Sequence, residues 1–323
     1  MAVFTPVSND DARTLLDQYD IGELVSLRGI TAGIENTNYF LTTTQGEYVL
    51  TLFEVLTHEQ LPFYIELMHY LAKQGLPIPQ PQSLKGMDQR ITTFHNKPTS
   101  IVTRLEGGYE PEPSPEHCRL AGATLARTHL AAADFTLQQP NLRGLEWWQK
   151  TAPTLLEFLT PAQQQLLTQV LNEQQGFANS AVYAALPKGP SHCDLFRDNV
   201  LFAGTYDTPV MGGFIDFYFA GCDRWLFDVA VSVNDWCIHR PTGSLQHDTL
   251  SAWLEGYHQV RPFTDAERDA WPTMLQAAAL RFWISRLNDF YRPRPAQTLK
   301  PHDPKHFERI LTERRTQPIP ALP

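Results

Sequence analysis

The chain has 323 residues, of which 42% are hydrophobic and 19% are charged, with a net charge of −9. This composition supplies enough apolar material for a large core over roughly two domains and excludes a mainly disordered chain. The acidic balance excludes the overall basic surface typical of nucleic-acid-binding proteins. No long apolar run predicts a membrane span, and the N-terminus MAVFTPVSNDDART lacks the features of a secretory signal. We therefore expect no nucleic acid and no membrane among the partners.

Cysteine and histidine spacing gives no indication of a structural metal site or a disulfide framework. The cysteines are Cys118, Cys193, Cys222 and Cys237, and none forms a CxxC pair. Histidines at positions 117, 129, 239 and 258 also lack ligand spacing, so we interpret them as surface or core residues. Buried thiols in a reducing compartment are the simplest interpretation, which predicts a cytoplasmic protein.

The first hundred residues are predicted to be rich in strands. Short runs with strand-like alternation, separated by glycine-containing turns, indicate an antiparallel meander at residues 25–31, 37–43 and 47–53. Apolar residues at helical spacing predict a helix over about 58–74, which Gly75 ends. Two shorter strands follow at about 90–94 and 99–105.

Beyond residue 105 the pattern becomes helical. Two glycines and two prolines within 106–113 indicate a linker. After it, Ser114 and Thr160 each precede a proline in the way that N-caps do, and Thr264 with Glu267 forms a capping box before a helix ending near Tyr291. We predict an α+β chain with a β-rich lobe (1–103), a hinge (104–113) and a mainly helical lobe (114–323).

The densest cluster of chemically reactive groups lies between His192 and Asp228. A loop containing Asp194 and Asn199 precedes a short strand, and a second strand ends at Asp216. Carboxylate and amide oxygens held at such neighbouring positions suit Mg²⁺. Asp194, five residues before Asn199, is placed to orient or deprotonate a hydroxyl group.

The pattern His-x-Asp-x-x-x-x-Asn, followed by Ile-Asp-Phe and Asp-Val-Ala, resembles the aminoglycoside phosphotransferase-like branch of the protein-kinase-like fold. The resemblance implies a bilobal fold that uses ATP and Mg²⁺. It implies that Asp194 is the base, with His192 bracing its loop and Asp228 anchoring that loop. It also implies that Asn199 and Asp216 bind the metal.

The resemblance extends to the N-terminal region. The segment GIENTNY, which contains Gly33, Asn36 and Asn38, lies where the family has its phosphate-covering turn. The resemblance places Arg104 and Leu105 at the hinge, where backbone groups would pair with adenine.

More narrowly, the segments GIENTNYFLTT, YVLTLFE, HCDLFRDNVLF and IDFYFAG resemble bacterial homoserine kinases. This resemblance implies L-homoserine as the acceptor; an aminoglycoside, choline or another amino alcohol remains the alternative. Zwitterionic homoserine requires a cation for its carboxylate and an acid for its amine. Arg197 is our candidate cation, for the γ-phosphate or for that carboxylate, and Asp235 beside Trp236 is the candidate acid. The sequence does not indicate an oligomeric state.

One position departs from the pattern of protein kinases. Thr51 stands where their third strand has a lysine that pairs with phosphates and with a helix glutamate, which Glu66 matches only loosely. Either the chain is a nucleotide-binding pseudokinase, or Mg²⁺ and another cation neutralise the phosphates. We prefer the second interpretation because the loop aspartate and both metal ligands are present.

Overall fold

The computed structural model describes residues 5–30, 36–293 and 302–323, and these residues form two compact units that divide after Glu106. Antiparallel strands dominate the first unit and helices dominate the second. The predicted α+β class is therefore confirmed. No helix in these three ranges is both long enough and apolar enough to cross a membrane.

The first unit is built on a five-stranded antiparallel sheet with the order β1-β2-β3-β5-β4. Its elements are α1 (Asn9–Leu16), β1 (Leu24–Gly29), β2 (Asn36–Thr43), β3 (Gly46–Phe53), α2 (Pro62–Lys73), β4 (Thr92–Phe94) and β5 (Lys97–Thr103). Alternate residues of β2 are buried, as the period of a strand with one covered face requires. Leu15 of α1 packs into a core with Leu41, Leu50 and Ile101 of the sheet.

Two local details of this unit differ from prediction. Helix α1 was not predicted, although Ser8 forms a capping box in which its side chain accepts from the amide N–H of Asp11. Helix α2 begins at Pro62 and not near residue 58. Proline is favoured at the first helical position because it has no N–H to donate, so it defines where this helix begins.

The second unit combines helices with two short antiparallel ribbons. Its helices are α3 (Pro115–Ala132), α4 (Leu145–Thr151), α5 (Pro161–Ala178), α6 (Ala181–Ala185), α7 (Trp225–Trp236), α8 (His247–Val260), α9 (Asp265–Tyr291) and α10 (Lys305–Thr316). Its strands are β6 (Lys188–Ser191), β7 (Val200–Gly204), β8 (Pro209–Phe214) and β9 (Gly221–Arg224). Strand β6 pairs with β9, and β7 pairs with β8.

The predicted helix starts are confirmed at three places. The side chains of Ser114, Thr160 and Thr264 each accept a backbone N–H in the first turn of α3, α5 and α9. Each cap satisfies an amide group that has no partner within the helix. Local sequence is sufficient for these predictions because both partners lie within one helical turn.

Helices α3 and α8 approach so closely that glycine is required on both. A Cβ atom at Gly122 would lie 2.2 Å from the carbonyl oxygen of Trp253, and one at Gly256 would lie 2.2 Å from that of Arg119. Both distances are far below van der Waals contact, and both neighbours are backbone atoms that side-chain rotation cannot move. The helix crossing therefore depends on two positions without side chains.

We expect Gly256→Ala to destabilise the protein by about 1–3 kcal/mol, because the added methyl group must push two packed helices apart. Urea unfolding measures the effect. Gly176→Ala in α5 is the matched control, since its Cβ would meet nothing within 4 Å. There we expect a gain of about 0.5–1 kcal/mol from helix propensity. Equal stability of the two variants would contradict the close-crossing argument.

Candidate active site

The loop between β6 and β7 is held in one conformation by its own hydrogen bonds. The carbonyl oxygen of Asp194 accepts the amide N–H of Phe196 at 2.8 Å and the side-chain Nδ2 of Asn199 at 2.9 Å. These bonds fold the loop back on itself between Asp194 and Asn199. Because Nδ2 is the donor atom, Oδ1 is the atom by which Asn199 can bind a cation.

Asp216 lies beside this loop through a backbone contact. The amide N–H of Ile215 donates to the carbonyl oxygen of Asn199 at 2.9 Å, so the residue after Ile215 is adjacent to the loop asparagine. Asp216 is exposed and has a left-handed backbone with φ of 63°. Aspartate tolerates this conformation better than most residues, and departures of this kind concentrate at functional sites.

These two residues fit a Mg²⁺ ion. Mg²⁺ is commonly held by one or two protein oxygens, while water and substrate phosphates complete the octahedron. Asn199 and Asp216 supply one amide and one carboxylate oxygen donor. Within the described ranges, no group of three His, Cys, Asp or Glu side chains forms a metal cluster. This arrangement suits a metal that arrives with a phosphate ligand better than one enclosed entirely by protein.

Asp228 anchors the loop from inside the core. Its side chain is fully buried, and its two oxygens accept the backbone N–H groups of His192 and Cys193, both at 2.8 Å. Burial by itself would raise the pKa of this carboxyl, but hydrogen bonding from His129 and the two amides hold that pKa below its ordinary value. Asp228 is therefore ionised and bonded to the two residues before Asp194.

His129 of α3 supports that anchor. Its Nε2 lies 3.0 Å from Asp228 and its Nδ1 lies 2.7 Å from the hydroxyl of Tyr257 on α8. Tyr257 also accepts from Arg261, which pairs with Glu267 at 2.9 Å. This buried chain of contacts links the loop between β6 and β7 to the start of α9. His129 is a core residue, within the interpretation made from the sequence, but its contact with Asp228 was not foreseen because that partner is 99 residues away.

His192 joins the loop to the segment that ends at Asp216. Its Nε2 donates to the carbonyl oxygen of Ile215 at 2.9 Å, and its ring packs 4.6 Å from that of Phe217. Complete burial lowers the pKa of His192, so the ring is neutral near pH 7. Its position is that of a brace between the two segments.

Burial of neutral histidines predicts a loss of stability in acid. The pKa is lowered, chiefly by burial, at His69, His117, His129, His192 and His306. Below their ordinary value of 6.5 the unfolded chain binds protons that the folded chain does not, which favours unfolding. We therefore expect the free energy of unfolding, measured in urea, to fall steadily as pH decreases below 6.5. Exchange of the exposed His247 for Asn should leave that slope unchanged, and a flat profile would contradict the prediction.

Arg197, the candidate cation, is engaged by protein groups. Its backbone N–H and Nε donate to Asp235 at 2.9 and 3.0 Å, its Nη1 donates to the carbonyl of Pro111 at 2.7 Å, and its Nη2 donates to the carbonyl of Asp235. The side chain is buried. With Nε, Nη1 and Nη2 each engaged by a protein oxygen, this guanidinium gives no support to a role at the γ-phosphate or the acceptor carboxylate. It ties the loop to α7 instead.

Asp235 and Trp236, predicted as weak substrate contacts, also bind residues of the loop. Asp235 is the partner of Arg197. Trp236 is buried, and its indole N–H donates to the carbonyl oxygen of Leu195 at 3.1 Å. Both therefore help to hold the loop backbone in place.

In the first unit, Thr51 and Asn38 form a cross-strand pair. Asn38 lies opposite Thr51 in the register of β2 and β3, and its Oδ1 accepts the hydroxyl of Thr51 at 2.8 Å. Thr51 is buried, and Asn36 begins β2 opposite Phe53. Gly33, the glycine of the predicted phosphate-covering turn, lies outside the described residues.

The loosely matched Glu66 has a cationic partner from another part of the chain. Both of its oxygens accept from Nη1 of the buried Arg90, at 2.9 and 3.0 Å. Arg90 precedes β4, so this ion pair does not involve the third strand. It preserves a charged contact for the helix glutamate without the lysine that protein kinases have.

The predicted hinge residues have local partners of their own. The backbone N–H of Arg104 donates to the carbonyl of Glu47 at 3.0 Å, and its guanidinium lies over the ring of Phe40 at 4.4 Å. This amide is therefore engaged in the sheet and is not available to an adenine edge. Leu105 follows it and is half-buried.

One residue beside the predicted base was not foreseen. Nη2 of Arg281, from α9, lies 3.7 Å from Oδ1 of Asp194. Arg281 is buried, whereas Asp194 is partly exposed. No spacing rule links the two, since 87 positions separate them in the sequence.

Comparison with known proteins gives matches over most of the chain. Residues 26–263 match the model of the phosphotransferase enzyme family. The chain is 55% identical to a homoserine kinase of Paraburkholderia phymatum over 97% of this chain and 98% of the relative. It is also 55% identical to a homoserine kinase of Burkholderia cenocepacia over 100% of this chain and 98% of the relative.

Solved structures show the same fold at low sequence identity. An amicoumacin kinase in complex with AMP-PNP and Ca²⁺ superposes with a TM-score of 0.68 at 16% identity, covering 96% of this chain and 92% of that chain. A choline/ethanolamine kinase family protein from Mesorhizobium loti gives 0.64 at 17% identity, covering 96% and 95%. The family match spans most of the sequence and contains the loop, its anchor and the adjoining strands. The chain belongs to the phosphotransferase enzyme family.

Proposed function

We propose that this protein is a homoserine kinase, which transfers the γ-phosphoryl group of ATP to the side-chain hydroxyl of L-homoserine. Full-length identity of 55% to homoserine kinases supports the substrate. The observation that carries the reaction type is the loop in which Asp194 and Asn199 are joined by a hydrogen bond, beside Asp216. Those are the parts that phosphoryl transfer requires.

In this proposal Asp194 orients the acceptor hydroxyl for attack on the γ-phosphorus and accepts its proton. Hydrogen bonds at its backbone carbonyl fix the position of the residue, and the Asp228 anchor fixes the two residues before it. A fixed acceptor converts an encounter of two substrates into an oriented reaction, which is the main contribution a protein makes here.

The metal-binding role of Asn199 and Asp216 remains part of the proposal. When bound, Mg²⁺ supplies positive charge to the oxygens of the transferring phosphoryl group. We also propose that Gly33, Asn36 and Asn38 contact the nucleotide phosphates, that the Thr51 side chain lies among them, and that residues 104–113 form the hinge, with Leu105 at the adenine. The paired hydroxyl of Thr51 orients Asn38 and brings no positive charge.

ADP release with a panel of alcohols tests the proposal. We expect release that depends on homoserine, with O-phosphohomoserine identified by ³¹P NMR. ADP release that depends on choline or an aminoglycoside would identify that molecule, and not homoserine, as the acceptor. ATP binding without release in the presence of any alcohol would favour the pseudokinase interpretation that Thr51 raises.

Asp216→Asn is expected to weaken the metal contribution to nucleotide binding. In the unsubstituted protein, we expect Mg²⁺ to increase ADP affinity in calorimetric titrations, and the variant should lose about tenfold or more of that increase because one carboxylate ligand is neutralised. Asp207→Asn, at an exposed aspartate in the β7–β8 turn, is the control and should behave like the unsubstituted protein. An unchanged Mg²⁺ effect in Asp216→Asn would remove this residue from the metal site.

A further inference from the structure

The immediate surroundings of Asp194 contain a buried cation that the reaction scheme above does not use. Arg281 projects from the middle of α9 to within 3.7 Å of the Asp194 carboxylate and is only 4% exposed. Its guanidinium lies 3.7 Å from the ring centroid of Phe282 and 5.6 Å from that of Phe219. The charged group is therefore flanked by aromatic faces, with the predicted base on another side.

Arg281 has more donor capacity than its protein surroundings use. A guanidinium has five N–H donors, and the carboxylate oxygen beside this one, Oδ1 of Asp194, lies 3.7 Å from Nη2. Its contact with Asp194 at 3.7 Å is longer than a hydrogen bond. Burial lowers the pKa of Arg281, yet a guanidinium remains charged at neutral pH. A buried cation with unused donors is a binding site for an anion that completes its hydrogen bonds.

The position of this cation suits the acceptor. In homoserine the hydroxyl oxygen and the carboxylate carbon are four bonds apart, about 5 Å in an extended chain. A molecule whose hydroxyl is bonded to Asp194 can therefore place its carboxylate against a guanidinium that neighbours the same aspartate. The planar fork of arginine matches a carboxylate with two parallel hydrogen bonds.

The charges around Asp194 also suit an acceptor that carries both signs. Arg286, one and a half turns further along α9, also interacts electrostatically with Asp194, and burial lowers its pKa to about 10, so it too is charged at neutral pH. Choline and aminoglycosides bring positive charge to a hydroxyl acceptor. Asp198 and Asp235 act on Arg286 as well, so the surroundings carry both signs and suit an acceptor with an ammonium and a carboxylate better than one that is only cationic.

We propose that Arg281 binds the carboxylate of the acceptor and thereby selects an amino acid alcohol over the corresponding amino alcohol. This inference rests on the proposed function, since it concerns the substrate of the same site. Arg281 also takes the place of Arg197 as the candidate cation for the carboxylate, because the guanidinium of Arg197 is engaged by Asp235 and by backbone carbonyls.

The test compares homoserine with 3-aminopropanol, which is homoserine without its carboxylate. In Arg281→Met we expect kcat/KM for homoserine to fall by about 100-fold or more, because a site built to pair with a polar group loses that much when the pair is broken. The KM for ATP and the kcat/KM for 3-aminopropanol should stay within about threefold of the unsubstituted values. Arg268→Met, at a half-exposed arginine near the start of α9, is the control and should change neither substrate.

Other outcomes would overturn the inference in distinguishable ways. Equal losses for both acceptors would assign Arg281 to the base or the phosphate, and a raised KM for ATP would assign it to the nucleotide. Unchanged homoserine kinetics in Arg281→Met would remove it from the site. If the unsubstituted protein does not phosphorylate homoserine, the proposed function itself fails.

A second variant covers the case in which Arg281→Met does not fold, which its thermal unfolding profile would reveal. Arg281→Lys keeps the positive charge but loses the planar fork. We expect about a tenfold rise in the KM for homoserine, with kcat nearly unchanged, because ground-state and transition-state binding weaken together. An equal KM in Arg281→Lys and the unsubstituted protein would contradict bidentate binding.

Discussion

Asp194→Asn is expected to lower kcat for homoserine phosphorylation by about 10³-fold or more, within the range found when a positioned general base is removed. The amide has nearly the same shape as the carboxylate, so the backbone bonds from Phe196 and Asn199 persist. It cannot accept the proton of the acceptor hydroxyl. Steady-state ADP release measures kcat, and calorimetry should show ATP binding close to that of the unsubstituted protein.

The matched control for this variant lies in the same loop. Asp198 is an exposed aspartate four residues later, and Asp198→Asn removes an identical charge. We expect kcat within about threefold of the unsubstituted value, because among the described residues this exposed side chain makes no hydrogen bond to Asp194 or Asn199. Comparable losses in the two variants would show that general charge, and not one positioned carboxylate, determines the rate.

Asp228→Asn is the second large effect, and it concerns stability. The substitution leaves a neutral amide where a buried carboxylate accepts from His192, Cys193 and His129. One half of the amide is a donor that faces other donors, and breaking a buried charged network in this way costs about 3–5 kcal/mol. Urea unfolding monitored by circular dichroism measures the loss, and kcat should fall as the loop loses its anchor.

Asp269→Asn, at an exposed position on α9, is the control for this substitution and should remain within about 0.5 kcal/mol of the unsubstituted protein. A double-substitution cycle with His129→Gln then isolates the contact between the two buried groups. We expect a coupling free energy of about 1–3 kcal/mol, as found for residues of one hydrogen-bond network. Additive effects would mean that His129 does not support the anchor.

Local sequence was sufficient to predict most of the fold. The Thr264–Glu267 capping box defines the start of α9 because both partners lie in a single turn, and the alternation in β2 indicates its buried face. The cluster around Asp194 was also recognisable, since the pattern of the loop depends on short spacings. Predictions of this kind rest on contacts that the order of residues already encodes.

Contacts were missed where packing brings distant segments together. His129 and Arg281 reach their partners across 99 and 87 positions, so no pattern in either neighbourhood indicates the contact. Arg197 was assigned to a ligand because it lies next to the loop in sequence. The Arg197 side chain instead pairs with Asp235 on α7. This contact becomes apparent only in the packed structure.

The tight crossing of α3 and α8 has a consequence for redesign. Tyr257 follows Gly256 in sequence and contacts His129 of the opposite helix. The distance between the two helices therefore determines whether Tyr257 and His129 stay in contact, and His129 supports the loop through Asp228. Bulkier residues there would disturb turnover from a distance, without touching any reactant. Efforts to broaden acceptor choice should therefore vary side chains along α9 and keep the two glycines as they are.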